Sequence, residues 1–401
     1  MSPKSRLDDV HGIGHVHGRV NMRYSVNNRK LSGAGLEHAL AVRLAELLQG
    51  VGWLEHGPVQ RDPRPAQRPF DLRVELRPAG RKKIQLLVQC QAEPRPSKFP
   101  AVFVTREGGP DPVRVLAAPF ISPRMAELCK EQDWSWFDLA GNYRLDVPGL
   151  LHIQQAGKPP AYKRPRPMAN LGTPEAGRVV RALLHPEHAG MRWTQRHLAE
   201  HFGQLERPIP EPSLGLVNKV VSYLQEEAFI EPAPDRGFRL REPLKLLYAW
   251  RDAYRFDRHE RRDYFSLLQG SKLRDALHKL GLFAGGYAAY AAFSAADIQA
   301  PHVRQPKTWL YLRAQELARF EELVAAKPVD SGENLVVLLP DDEGVFYLGD
   351  GGYMDSDRLA CTNAVQTYVD VWHCGGRGQE AAEAVLEQKL KPAWKAKGLK
   401  L

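Results

Sequence analysis

The chain has 401 residues, 43% of them hydrophobic, and its 56 Lys+Arg against 47 Asp+Glu leave a formal net charge of +9. At ~100–200 residues per domain this length implies more than one folding unit. The apolar content excludes a wholly disordered chain, and no run reaches the ~18 uncharged apolar residues of a membrane span. Four scattered cysteines (Cys90, Cys129, Cys361, Cys374) exclude a disulfide scaffold and read as reduced thiols of a cytoplasmic protein. No membrane partner and no signal peptide are expected.

The charge is uneven. Residues 1–160 hold 23 basic and 16 acidic residues, 161–250 hold 13 and 10, and 251–401 hold 20 and 21. Lysine and arginine clusters gain affinity for nucleic acid by releasing its counterions, so the basic front is where a polyanion is expected.

In chain order, residues 1–31 are polar and Gly-rich, with His11, His15 and His17, and read as a flexible arm and not a metal site. Residues 32–157 read as a mixed α/β domain. Leucines 36, 40, 44, 47 and 48 place an amphipathic helix over Leu36–Leu54. After a Pro/Arg-rich loop, Phe70–Leu76, Ile84–Val88, Ala101–Thr105 and Val113–Ala117 read as strands. A helix at Pro123–Gln132 precedes strands at Trp134–Asp138 and Tyr143–Val147. Residues 158–170 form a basic, Pro-rich linker, extended by its prolines and suited through Lys163, Arg164 and Arg166 to lie along phosphates.

Residues 171–243 read as a winged helix-turn-helix: helices at Thr173–Leu184, Gln195–Phe202 (capped by Thr194) and Leu214–Glu226 (capped by Ser213), then a hairpin around Pro232–Gly237. The third helix has two faces. Val217, Val220, Val221 and Leu224 pack inward, while Gly215, Asn218, Lys219 and Ser222 form a small, hydrogen-bonding stripe of the kind that enters a major groove. Thr194, Gln195 and Arg196, with Arg236, Arg239 and Arg241 on the wing, complete the expected DNA contacts. The turn Gly203–Pro212 is longer than the three or four residues usual between the two helices.

Residues 244–401 read as a C-terminal α/β domain. Helices are expected at Leu244–Arg255, Arg261–Gly270, Ser271–Leu280, Gly285–Ala296, Cys361–Trp372 and Gln379–Lys391, and strands at Thr308–Arg313, Leu335–Pro340 and Val345–Leu348. Asp341, Asp342 and Glu343 read as a solvated turn, and His185/His188 and His197/His201 as solvated or DNA-facing pairs. The whole is thus expected to be multidomain, α/β and α+β.

Two resemblances arise. Ala118–Cys129, Trp136–Asn142, Pro212–Val221, Ala364–Trp372 and Gly376–Ala382 are similar to the AbiEi-like antitoxins of type IV toxin–antitoxin systems. That implies a winged-helix autorepressor, a dimer on an inverted repeat of double-stranded DNA in its own promoter, with a possible cognate nucleotidyltransferase-like toxin. The likeness carries over onto Ser213, Asn218 and Lys219 as DNA contacts. The front domain also resembles the PD-(D/E)XK nuclease fold, through Glu37 on the helix, Asp71 at a strand start, and Gln89 and Gln91 where a second carboxylate and a lysine should stand. An amide is a poor ligand for a hard dication and carries no ammonium charge. The expectation is a vestigial, non-enzymatic domain without cofactor, whose Arg77, Arg81, Lys82 and Lys83 suit a binding role. The alternatives are an active metal-dependent nuclease and a module that captures a toxin protein.

Overall fold

The structure, a computed structural model, describes residues 33–61, 70–77, 83–102, 112–147, 149–160, 169–285, 287–349 and 359–401. The N-terminal arm, Arg81, Lys82, and the linker residues Lys163, Arg164 and Arg166 lie outside the described residues.

Helix α1 (Gly33–Gln49) buries all five predicted leucines and stops before Gly50, short of the expected Leu54. Strands β1 (Glu55–His56), β2 (Gln60–Arg61), β3 (Leu72–Arg77), β4 (Ile84–Cys90) and β5 (Val113–Ala118) follow. Helix α2 (Pro123–Glu131) leads to β6 (Ser135–Asp138), β7 (Tyr143–Val147) and β8 (Leu151–Gln155). The sheet runs β3-β4-β5-β6-β7-β8, with β1 and β2 both paired to β3. The pairs β4/β5 and β5/β6 are parallel and the others antiparallel. Side chains alternate across a strand, and this divides the core. Leu72, Val74, Leu86, Val88, Val115 and Phe137 join the α1 leucines. Leu116, Ala118 and Trp136 join Met125 and Cys129 of α2. The expected strand Ala101–Thr105 begins in a 3₁₀ turn, Pro96–Val102, and its last three residues lie outside the described ones.

The phrase Trp136–Asn142 closes a turn. Buried Asp138 accepts hydrogen bonds from Asn142 N (2.8 Å), Asn142 Nδ2 (2.9 Å) and Ile121 N (3.2 Å). Asn142 also bonds the Lys158 backbone in both directions. Gly141, at φ +99°, occupies a backbone region that a side chain disfavours.

Helices α3 (Pro174–Leu184), α4 (Gln195–Glu200) and α5 (Leu214–Glu226) come next, then β9 (Ile230–Ala233) and β10 (Gly237–Leu240) as an antiparallel hairpin. The remaining elements are α6 (Pro243–Ala253), β11 (Glu260–Ser266), α7 (Gly270–Phe283), β12 (Ala288–Tyr290), α8 (Ala292–Gln299), β13 (Thr308–Leu312), α9 (Leu317–Leu323), β14 (Ala326–Pro328), β15 (Leu335–Leu339), α10 (Ala364–His373), α11 (Gly378–Val385) and α12 (Lys391–Ala396). Among the described residues, β12-β13-β15-β11-β14 form a second large sheet.

Three expectations fail here. Arg261–Gly270 is not a helix: its first half is strand β11, hydrogen-bonded to β15 and β14 with Tyr264 and Ser266 turned inward. Sheet pairing overrides a polar segment of weak intrinsic preference. Gly285–Ala296 is not one helix, because Ala288–Tyr290 pairs with β13 before α8 begins. Val345–Leu348 is no strand. Asp342 accepts from Gly344 N at 2.9 Å and caps a 3₁₀ turn over Glu343–Phe346.

The molecule is mixed α/β. On β13 and β15, Trp309, Tyr311, Val336 and Leu338 enter one core with α3–α6, α8 and α10, while Leu310, Leu312, Leu335 and Val337 enter another with α7 and α9. The segment 171–243 therefore shares a continuous hydrophobic core with the C-terminal elements.

Candidate nucleic-acid interface

Each of α3, α4 and α5 starts on a side-chain cap: Thr173 accepts from Ala176 N, Thr194 from His197 N and Ser213 from Leu216 N. In α5 the two faces separate as the spacing predicts. Val217, Val220, Val221 and Leu224 are buried, whereas Ser213, Gly215, Asn218 and Lys219 are exposed and Ser222 is half-buried. Nothing lies within 4 Å of where a Cβ on Gly215 would be, so packing within this chain does not require a glycine there. Asn218 Oδ1 accepts from Ser222 Oγ at 3.2 Å.

The hairpin turn carries Asp235 and Arg236 at positive φ, 54° and 56°, the backbone that a tight hairpin turn demands. Arg192 donates to Pro234 O (2.8 Å) and Asp235 Oδ2 (3.2 Å), tying the approach to α4 onto the hairpin tip. Trp193 then exchanges two 2.8 Å backbone hydrogen bonds with Phe238, adding a third backbone segment to the hairpin. Sequence reasoning missed this bridge because a single residue has no periodicity. Of the arginines on and beside the hairpin, Arg239 pairs with Glu231 at 2.5 Å and Arg241 with Glu242 at 3.8 Å. Arg196, Lys219 and Arg236 have no carboxylate partner among the described residues. Thr194 and Gln195 are half-buried at the start of α4.

The long turn before α5 is held from outside. Phe202 O accepts from Ile209 N at 3.1 Å, Pro208 O from Tyr287 Oη at 2.7 Å, and Pro210 O from Arg178 Nη1 at 2.9 Å. The same Arg178 grips Asp342 through Nε (2.8 Å) and Nη2. The residues expected as a solvated acidic turn thus include a buried carboxylate, because two arginines of α3 reach it: Arg181 Nη1 is 3.6 Å from Asp342 Oδ1.

Three of the four histidines are likewise not solvated. The Tyr347 hydroxyl lies 2.8 Å from both His188 Nδ1 and His201 Nε2, and the rings of His185, His188, His201 and Trp193 pack edge to face or tilted around it. Burial, with smaller effects from neighbouring groups, lowers His185, His188 and His201 to about 4, so all three stay neutral at physiological pH. His197 alone of the four is exposed.

The front sheet meets α5 at its C-terminal end. Arg95 pairs with Glu226 (2.8 Å), Arg124 sits over the Phe229 ring (5.7 Å) and Lys245 pairs with Glu131 (2.6 Å).

In the front sheet, Asp71 is no isolated exposed carboxylate: it is half-buried, and Oδ2 accepts from Cys90 N at 2.7 Å. Glu37 faces Arg61 at 3.6 Å. Burial, then the charges of Asp71 and Glu37, push the Cys90 thiol up. Gln89 and Gln91 flank Cys90, and Gln89 Oε1 is buried without a hydrogen-bond partner among the described residues. Arg77 and Lys83 both spend their charge on Glu75 (2.8 and 3.2 Å). No family model, no curated protein and no solved structure matches the chain.

Proposed function

We propose that the chain is a sequence-specific double-stranded DNA-binding regulator that inserts α5 into a major groove. In this reading α3–α5 and the β9–β10 hairpin form a winged helix-turn-helix. The observation that carries it is the face of α5. Ser213, Gly215, Asn218 and Lys219 stand in solvent on a helix whose other face is fully buried, and Gly215 leaves room for a close approach. Asn and Lys read base edges or grip phosphate, while Arg196 and Arg236 supply flanking phosphate contacts without carboxylates to neutralise them. Thr194, Gln195 and Ser222 border that surface, and Arg239 and Arg241 would reach the backbone only by exchanging their acidic neighbours. Lys163, Arg164 and Arg166 are proposed to extend the footprint from the linker.

The antitoxin-like role follows from the sequence resemblance: an autorepressor acting as a dimer on an inverted repeat beside a gene for a toxin partner. No enzymatic step is assigned to the front sheet, because Gln89 and Gln91 occupy the positions where metal-dependent cleavage needs a carboxylate and a lysine. A gel shift tests the reading. The protein is expected to retard the duplex upstream of its own gene in preference to a scrambled duplex at physiological salt. Equal retardation of both would reject it.

A further inference from the structure

The exposed face of α5 is not wholly polar. Leu214, the first residue of the helix, is 47% exposed. Among the described residues of segment 171–243, the only other large apolar side chain left so open is Met191, beside Arg192 on the approach to α4. Leu214 takes no part in the core beneath the helix and does not rest against it, whereas Leu216 does. Helical spacing sets Leu214 one turn before Asn218, with about 5–6 Å between their Cβ atoms. Leu214, Asn218 and Ser222 thus form one row of the face, and Gly215 and Lys219 the next. Gly215 has open space where a Cβ would be, so nothing beside Leu214 keeps a ligand away.

The chemistry of the first row is selective. Asn218 Oδ1 accepts from Ser222 Oγ at 3.2 Å, which orients the amide and leaves Nδ2 and a second Oδ1 lone pair for a ligand. A donor beside an acceptor matches the major-groove edge of adenine, with its N7 and N6 amino group. It does not match guanine, which presents two acceptors there. An aliphatic side chain has one apolar partner in that groove, the C5-methyl of thymine. Contact between the two removes apolar surface of both from water. We infer that α5 reads an A·T-containing site, with Asn218 bidentate on an adenine and Leu214 against the methyl of a thymine within about two base pairs of it. This base assignment rests on the reading of α5 as the DNA-binding helix and adds which bases it selects.

Base analogues in the duplex upstream of the gene test it, with the full chain at one salt concentration low enough for every variant to bind. The duplex is made in three forms: natural, with every thymine replaced by uracil, which lacks only the methyl, and with every adenine replaced by 7-deazaadenine, which lacks the N7 acceptor. The wild type is expected to bind the uracil form about fourfold or more weakly and the 7-deazaadenine form about fivefold or more weakly. Leu214→Ala removes a side chain that lies outside the core, so it is expected to keep its Tm. It should bind the natural and uracil forms alike while retaining the 7-deazaadenine loss, and Asn218→Ala should do the reverse. Equal wild-type affinity for the natural and uracil forms, or an undiminished uracil loss in Leu214→Ala, overturns the thymine contact. The corresponding results with 7-deazaadenine and Asn218→Ala overturn the adenine contact. A wild type that binds the natural duplex no better than a scrambled one overturns the DNA-binding reading itself, an outcome distinct from failure of the base assignment.

Discussion

At the scale of single residues, the structure concentrates its buried charge between α3 and the C-terminal elements. Asp342 is gripped by Arg178 and lies near Arg181, and all three are buried. Removing one partner of such a pair strands the other, at a cost of about 3–5 kcal/mol. Asp342→Ala is therefore expected to lose stability on that scale in urea unfolding, whereas exposed Asp341→Ala should change it by less than about 0.5 kcal/mol. Asp370 carries a second prediction. It is fully buried, and Oδ1 accepts from Tyr254 (2.9 Å), Tyr311 (3.1 Å) and Gln366 (2.7 Å). Burial outweighs these bonds and raises its carboxyl to about 7. A raised pKa favours the fold below the unfolded value and loses that contribution as pH climbs through the folded one. The stability of Asp370→Asn relative to wild type should therefore grow between about pH 4 and pH 7 and level off above. A flat difference would mean that Asp370 is ionised in the fold.

At the scale of elements, patterns confined to one segment were legible and those made by distant segments were not. Helix α5 appears with the boundaries its caps and heptad-like valines predict, because Ser213 and the apolar stripe are local signals. The unbroken apolar run Leu335–Leu339 likewise marks a strand buried on both faces, with even and odd positions feeding separate cores. Glu260–Ser266 is the counter-case: Glu-Arg-Arg-Asp-Tyr-Phe-Ser has little apolar alternation and becomes a strand through its pairing with β15. The same reason hid Asp342 and the histidines. Their burial depends on Arg178, Arg181 and Tyr347, each 140 or more residues away along the chain. At the interface, the residues of α5 and the cap of α4 were readable from spacing, while Trp193 and the pairing of Arg239 with Glu231 needed the fold. The long turn before α5, anomalous as sequence, is explained by its outside anchors. Tyr287→Phe removes the bond to Pro208 O and is expected to cost about 1 kcal/mol and to raise hydrogen exchange in residues 203–212. No change in exchange there would remove Tyr287 as an anchor.

At the scale of the whole molecule, the positive charge of the first 250 residues is only partly free. Glu75 neutralises Arg77 and Lys83, and Glu231 neutralises Arg239, which leaves the cations around α4, α5 and the hairpin tip as the set proposed to face phosphate. The front sheet docks on the far end of α5 mainly through partly exposed ion pairs, typically worth about 0–1 kcal/mol each. Glu226→Ala should therefore leave global stability within about 1 kcal/mol of wild type, and its effect, if α5 is the reading element, should appear in duplex binding. The central claim is that the exposed face of α5 reads DNA. It is tested most directly by fluorescence-anisotropy titration of the upstream duplex, at several salt concentrations, with wild type and with Asn218→Ala/Lys219→Ala. The account predicts salt-dependent wild-type binding, a loss of at least about tenfold in the double variant, and a salt slope smaller by about one. Equal affinity and equal slope for the two proteins, both folded, would contradict it.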